Sequence, residues 1–351
     1  MENAAERHRG GISEISLRAA SVALAVMLGL GVVAIQSAQA QTLTTLHNFT
    51  GSPDGAGPVA GLVGDAKGDF YGTTEYGGDL SCGDYGCGIV FKLDAAGKET
   101  VLHSFAGSDG ANPSAGLIID AKGNLYGTTA YGGLGCQSPG CGVVFKLDTS
   151  GKETVLHNFT GRPDGEYPIR GLVRDTAGNL YGTTPYGGSS GYGTVFRVSK
   201  TGEETVLHSF TGAPSDGAVP EAGLVRDAKG ELYGTTDEGG SSGYGTVFKL
   251  DATGKATVLH SFTGSPSDGA FTEAGLLRDA KGNLYGIPPG AACLATEQCS
   301  SWIRAARRPC CTASPGRTGH NLLEVWLSMR KVTFMAMPRT AALLVMERCS
   351  G

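Results

Sequence analysis

The chain has 351 residues and 57 glycines, which marks many turns and few long helices, because glycine is costly inside regular elements and cheap where φ must be positive. Its formal net charge of −5 is uneven: residues 41–286 hold 17 basic and 27 acidic side chains (−10), and residues 287–351 hold 8 against 3 (+5). An acidic body argues against nucleic acid or an anionic membrane as partner, since both call for clustered Lys and Arg.

Residues 1–40 read as a signal peptide. Arg7, Arg9 and Arg18 precede an apolar run from Ala19 to Ile35, and Ala38-Gln39-Ala40 is a small-x-small cleavage site. A membrane anchor competes with this, but the run is short and ends in the cleavage site, which favours removal and export with Gln41 first. No other segment is apolar enough to span a bilayer, so no membrane insertion is expected after cleavage, and the localisation expected is secreted or cell surface.

From there a unit recurs whose tyrosine stands at Tyr71, Tyr126, Tyr181, Tyr233 and Tyr285, a period of about 52 to 55 residues. Thr42 to Phe49 reads as a closing fourth strand with no first three before it. In the unit that follows Arg170, the first strand is expected at Gly171 to Asp175 and the second at Asn179 to Thr184. The third is expected at Gly193 to Val198 and the fourth at Glu204 to Phe210. Each is a short β-branched or aromatic run bounded by turn residues. Tight turns such as Asp120 to Asn124 and Asp94 to Lys98 join the first strand to the second and the third to the fourth. Four antiparallel strands apolar on both faces describe stacked sheets, so the fold predicted is an all-β propeller with blades at about 61–105, 116–159, 171–210 and 223–262 and a partial blade from 275. A β-solenoid is the competing architecture, but its coils are shorter and need no paired hairpins.

Three motifs recur together in fixed order: Leu-Tyr-Gly-Thr-Thr-x-x-Gly-Gly at 180–188, Gly-x-Val-Phe-Lys-Leu-Asp at 245–251 and Thr-Val-Leu-His-Ser-Phe at 257–262. On these the chain resembles the bacterial GloVer (Gloeobacter/Verrucomicrobia-type) tandem-repeat proteins over roughly residues 42–286, and more loosely the NHL-type propellers. The resemblance implies an extracellular repeat protein of unassigned activity, in a group that often ends in a surface-sorting segment; none is read in this tail.

His47, His103, His157, His208 and His260 share one position, each ahead of an Asp-Gly turn. A ring nitrogen bonded to a nearby carboxylate or carbonyl would orient that turn, so a structural role is expected; a metal role would need copies in separate blades to meet. Cys82 and Cys87, like Cys136 and Cys141, lie in the loop between the second and third strands and are expected to form two loop-closing disulfides, with a zinc site as the alternative. The glycine-rich loops at 187–193 and 239–245 lack the Lys-Ser/Thr pair of a phosphate loop, and no catalytic signature, metal site or cofactor motif is found.

The long second-to-third and fourth-to-first connections are expected on one face. They would gather Tyr76, Tyr131, Tyr186, Tyr192 and Tyr244 with Asp54, Asp109, Asp164, Asp216 and Asp268. Aromatic planes beside carboxylates suit sugars or extended polymers, whereas the plain alternative makes these residues turn formers. The function expected is a non-catalytic binding or scaffold module whose partner is a glycan or another surface protein. The competing readings are a polysaccharide lyase or glycosidase with its site on that face, and a non-functional truncated product.

The tail 287–351 departs from the repeat: it holds both tryptophans and five of the nine cysteines (Cys293, Cys299, Cys310, Cys311 and Cys349). Lys-Glu-Thr-Val-Leu-His-Ser-Phe-Thr, written AAG GAG ACC GTG CTG CAC AGC TTC ACC G and read from its second base, gives Arg-Arg-Pro-Cys-Cys-Thr-Ala-Ser-Pro, the string at Arg307 to Pro315. Val-Phe-Lys-Leu-Asp treated likewise gives Cys-Ser-Ser-Trp-Ile, found at Cys299 to Ile303. The tail is therefore expected to be the same repeat in a shifted frame, poorly ordered and with accidental cysteines.

Overall fold

The computed structural model describes residues 44–264, 268–270, 275–286 and 301–302. The segment read as a signal peptide and most of the tail lie outside them. The repeats form a β-propeller: among the described residues there are four four-stranded antiparallel sheets. Blade 1 comprises Val63–Gly64, Phe70–Thr74, Ile89–Leu93 and Glu99–Ser104. Blade 2 comprises Ile118–Ile119, Leu125–Thr129, Val143–Leu147 and Glu153–Asn158. Blade 3 comprises Val173–Arg174, Leu180–Thr184, Thr194–Val198 and Glu204–Ser209. Blade 4 comprises Val225–Arg226, Leu232–Thr236, Thr246–Leu250 and Ala256–Ser261.

The core lies between blades rather than within them, as strands apolar on both faces require. The phenylalanine closing each fourth strand meets one in the third strand of the next blade, edge to face. Centroids are 5.1 Å apart for Phe105–Phe145, 5.0 Å for Phe159–Phe196 and 5.1 Å for Phe210–Phe248. Gly127, Gly182 and Gly234 let the second strand approach this column, since a Cβ there would lie 2.7, 2.5 and 2.7 Å from the ring carbon Cζ of Phe145, Phe196 and Phe248. That close approach is why the unit reads Tyr-Gly-Thr.

Every third-to-fourth strand pairing slips by one residue at the same place, between Val90 and Phe91, Val144 and Phe145, Val195 and Phe196, and Val247 and Phe248. Val195 faces His208 while Phe196 faces Val206, which leaves Leu207 as the extra residue of a bulge. A bulge changes the face that later residues present, and here it falls immediately before the recurring histidine.

Two strand expectations turned out differently. Residues 44–50 form no ladder, although Phe49 takes its repeat position against Phe91 at 4.9 Å. A fourth strand pairs with the third strand of its own blade, and none is offered to this segment among the described residues. In the partial blade, Leu277–Arg278 and Leu284–Tyr285 are joined by Ser301–Trp302. Trp302 pairs with Leu284, the register that Leu250 keeps with Leu232 one period (52 residues) earlier.

Candidate functional site

Each long fourth-to-first connection is stitched to the second-to-third connection of the blade it enters. Ala56 bridges Tyr76, Ala111 bridges Tyr131 and Glu166 bridges Tyr186, while in blade 4 Gly217–Ala218 pairs with Glu238–Gly239. The junction is drawn tight by Gly142, Gly193 and Gly245, at φ of 87°, 92° and 92°, where a Cβ would stand 2.3–2.4 Å from the carbonyl oxygen of Thr129, Thr184 or Thr236. No L side chain fits there.

Beside this seam three non-glycine residues hold left-handed backbone: Asn112 (φ 55°), Tyr167 (φ 61°) and Val219 (φ 55°), each directly before a proline. Such positions cost of order 1–3 kcal/mol and persist only where their surroundings impose them. What imposes them is the preceding blade: the N–H groups of Asn112, Tyr167 and Val219 donate to the carbonyls of Cys87, Cys141 and Tyr192.

The seam carries an aromatic arc. Tyr131 and Tyr167 meet with ring centroids 5.2 Å apart, and Tyr167 meets Tyr186 at 6.1 Å. In blade 1, Tyr76 packs against Tyr85 at 5.9 Å. Tyr76, Tyr131 and Tyr186 keep 37%, 38% and 43% of their surface exposed, so the arc faces solvent. The charge of Glu75, then burial, raises the Tyr76 hydroxyl above its ordinary pKa; burial, then the charge of Glu166, does the same for Tyr167. The phenols therefore stay protonated as donors.

Tyr167 and Tyr85 escaped the sequence reading because they have no counterpart in the other blades. Conversely, Tyr192 and Tyr244 belong to a different position. They occupy the place that Cys87 and Cys141 take in blades 1 and 2, and their rings cover Gly212 and Gly264. Where those loops are longer, disulfides close them: Cys82–Cys87 and Cys136–Cys141, with Cα atoms 5.2 and 5.5 Å apart.

The aspartates face inward to the turns. Asp109, Asp164, Asp216 and Asp268 each accept from or share a proton with His103, His157, His208 and His260 at 2.9–3.0 Å, and Asp54 with His47 at 3.2 Å. Their carboxylates also accept backbone N–H groups, as Asp54 does from Thr50 and Asp216 from Thr211. Burial alone would raise these carboxyls, but the histidine and backbone hydrogen bonds hold Asp54, Asp109 and Asp216 below the usual range. The expectation that the aspartates serve as ligand groups beside the tyrosines is thus corrected: apart from Oδ1 of Asp164, their oxygens are committed to His and main chain.

Sequence reasoning also missed a glutamate from the next blade. Glu99, Glu153 and Glu204 open the fourth strands of blades 1 to 3, and one oxygen of each is buried without a hydrogen-bond partner. Burial pushes Glu153 and Glu204 up to about 7; Asp109 and Asp164 add to the rise while His103 and His157 oppose it. A raised carboxyl binds its proton more tightly folded than unfolded. Its contribution is complete below about 4.5 and is lost as pH climbs toward about 7. Unfolding followed by urea at pH 5 and pH 8 is expected to show lower stability at pH 8, with a smaller difference in Glu204→Gln; an unchanged difference would remove Glu204 as the cause.

Among the described residues no helix is long and apolar enough to cross a membrane. No curated protein matches the chain. Solved structures similar to it include a gluconolactonase from Xanthomonas campestris, at 17% identity and a TM-score of 0.41 over 70% of this chain and 72% of that one. Another is the extracellular domain assigned to a hybrid two-component system of B. thetaiotaomicron, at 14% identity and a TM-score of 0.41; 64% of this chain is aligned, but only 26% of that chain's length is spanned. The sequence profile of the Gloeobacter/Verrucomicrobia repeat matches residues 28–133 and 80–292. Those stretches cover most of the chain, and the protein belongs to the Gloeobacter/Verrucomicrobia repeat family.

Proposed function

We propose that the protein is an extracellular, non-catalytic binding module that takes a glycan along the tyrosine arc of blades 2 and 3. The observation that carries this is the contiguous run Tyr131–Tyr167–Tyr186, exposed at its two ends and half-buried at its centre, drawn from successive connections and held by left-handed backbone at Tyr167. Flat apolar faces edged by phenol donors suit the apolar faces and hydroxyls of sugar rings. Rigid aromatics also lose little conformational entropy on binding. The two loop disulfides support an oxidising compartment.

Glycan-array binding together with a reducing-sugar release assay tests the proposal. Binding without release is expected, and Tyr131→Ala or Tyr186→Ala should weaken it about tenfold each, the scale of an aromatic anchor. Release of sugar would replace the binding module with a polysaccharide-acting enzyme. Silence in both assays would leave the arc a structural element.

A further inference from the structure

The junction between blades 2 and 3 brings together three ligand types that the sequence keeps well apart. A ring nitrogen of His157, the Asp164 carboxylate and the Glu204 carboxylate lie with their donor atoms all within 4.8 Å of one another. Asp164 uses Oδ2 to accept the Thr160 N–H and to meet His157. Its other oxygen, Oδ1, and Oε1 of Glu204 are both sealed from water with no partner in the protein. Two orphaned carboxylate oxygens beside an imidazole are costly unless a cation or proton lies between them. The approach is fixed by main chain, since Gly202 in the turn before Glu204 sits close enough to the Leu156 carbonyl that a Cβ there would be 2.5 Å from its oxygen.

The repeat supplies its own comparison. Blade 1 offers Glu99 near His47 and Asp54, and blade 2 offers Glu153 near His103 and Asp109, each with a buried unpartnered Oε1. At the junction of blades 3 and 4 the same strand opens with Ala256, so His208 and Asp216 lack the third ligand. Among the described residues only the His157 junction draws all three groups to within 4.8 Å.

We propose that His157, Asp164 and Glu204 bind a divalent first-row metal ion that ties blade 2 to blade 3. Two carboxylates and a neutral imidazole balance a charge of +2, and both orphaned oxygens gain a partner. The donor set of one imidazole and two carboxylates suits manganese or zinc and leaves positions for water; it falls short of the all-oxygen cage that calcium takes. Binding exchanges the His157–Asp164 hydrogen bond for coordination and links the fourth strands that carry His157 and Glu204 through the connection that carries Asp164. Its role is structural, and it stands independently of glycan binding.

The test uses the full chain stripped with a chelator and titrated at pH 7.5 with Mn²⁺, whose free ion is followed by electron paramagnetic resonance. Manganese favours oxygen ligands over thiolate, so the tail cysteines do not compete. Saturable uptake of about one ion per chain, with a higher melting temperature, is expected. Glu204→Ala, which copies the Ala256 junction, and His157→Gln should each weaken uptake at least tenfold, roughly the scale of one lost coordinating or orienting group. Glu153→Ala should leave it unchanged. If Glu204→Ala does not fold, Glu204→Gln serves in its place, because it keeps the volume and removes the charge. No saturable uptake, or uptake equal in the Glu204 variants and the parent, overturns the site. PH-dependent stability that Glu204→Gln removes, without metal uptake, overturns it in favour of a shared proton.

Discussion

Insertion of one base at codon 287 is expected to turn the tail back into repeat and to raise the melting temperature by roughly 6–12 °C, the equivalent of about 3 kcal/mol in a domain of this size. The frame-shifted strings extend beyond the third and fourth strands. Gly-Tyr-Gly-Thr-Val-Phe, as at Gly243 to Phe248, written GGC TAC GGA ACA GTG TTC and read from its second base, gives Ala-Thr-Glu-Gln-Cys, found at Ala295 to Cys299. Lys-Gly-Asn-Leu-Tyr-Gly, as at Lys281 to Gly286, written AAA GGT AAC CTT TAT GGC and read from its second base, gives Lys-Val-Thr-Phe-Met followed by the start of an alanine codon, as at Lys331 to Ala336. The first string lies one 52-residue period beyond Gly243, because 243 + 52 = 295.

The physical consequence falls on the last junction. The repeat register puts a phenylalanine at position 300 to meet Phe262, where this chain has Ser300. Among the described residues the buried cluster there comprises Tyr233, Val247, Phe262 and Leu276, fewer than at the three preceding junctions. Restoring a valine and a phenylalanine at 299 and 300 buries two further side chains, worth of order 1.5–3 kcal/mol each when fully buried. Limited proteolysis and a thermal melt of the two proteins check this. If the tail as it stands resists protease as firmly as blades 1 to 4, the shifted frame is wrong.

Much of the fold was legible because it is local. Leu-Tyr-Gly-Thr-Thr and Val-Phe-Lys-Leu are short β-branched and aromatic runs between Asp-Gly turns, and their period counts the blades directly. The His–Asp pairs were legible for the same reason: His157 and Asp164 are seven residues apart. What was hidden is what the stacking of blades creates. Glu204 reaches His157 from 47 residues away (204 − 157), so no local spacing announces it. Tyr167 joins Tyr131 to Tyr186 only because the Cys141 carbonyl holds its backbone N–H. The aspartates misled because the same residue type serves an open ligand face and a turn equally well. Only the direction of its oxygens separates the two.

Truncation of one phenylalanine in the inter-blade column should cost more than any change on the arc. Phe196 is fully buried and meets Phe159 at 5.0 Å within a cluster that also holds Val144, Leu172, Leu180 and Val198. Phe196→Ala removes the ring and leaves a cavity closed by strands of two blades, which the stiff ladders on either side cannot collapse to fill. A loss of about 3–5 kcal/mol is expected in urea unfolding. Tyr186→Ala on the exposed arc should stay within roughly 0.5 kcal/mol, since it touches no buried cluster. The two measurements together separate stability from binding: one variant loses the fold and the other only the ligand. Hydrogen exchange should place the damage at the junction of blades 2 and 3, with Glu153–Asn158 and Thr194–Val198 exchanging faster while Phe70–Thr74 in blade 1 stays protected. A penalty below about 1 kcal/mol for Phe196→Ala would mean that the phenylalanine column is not what couples one blade to the next.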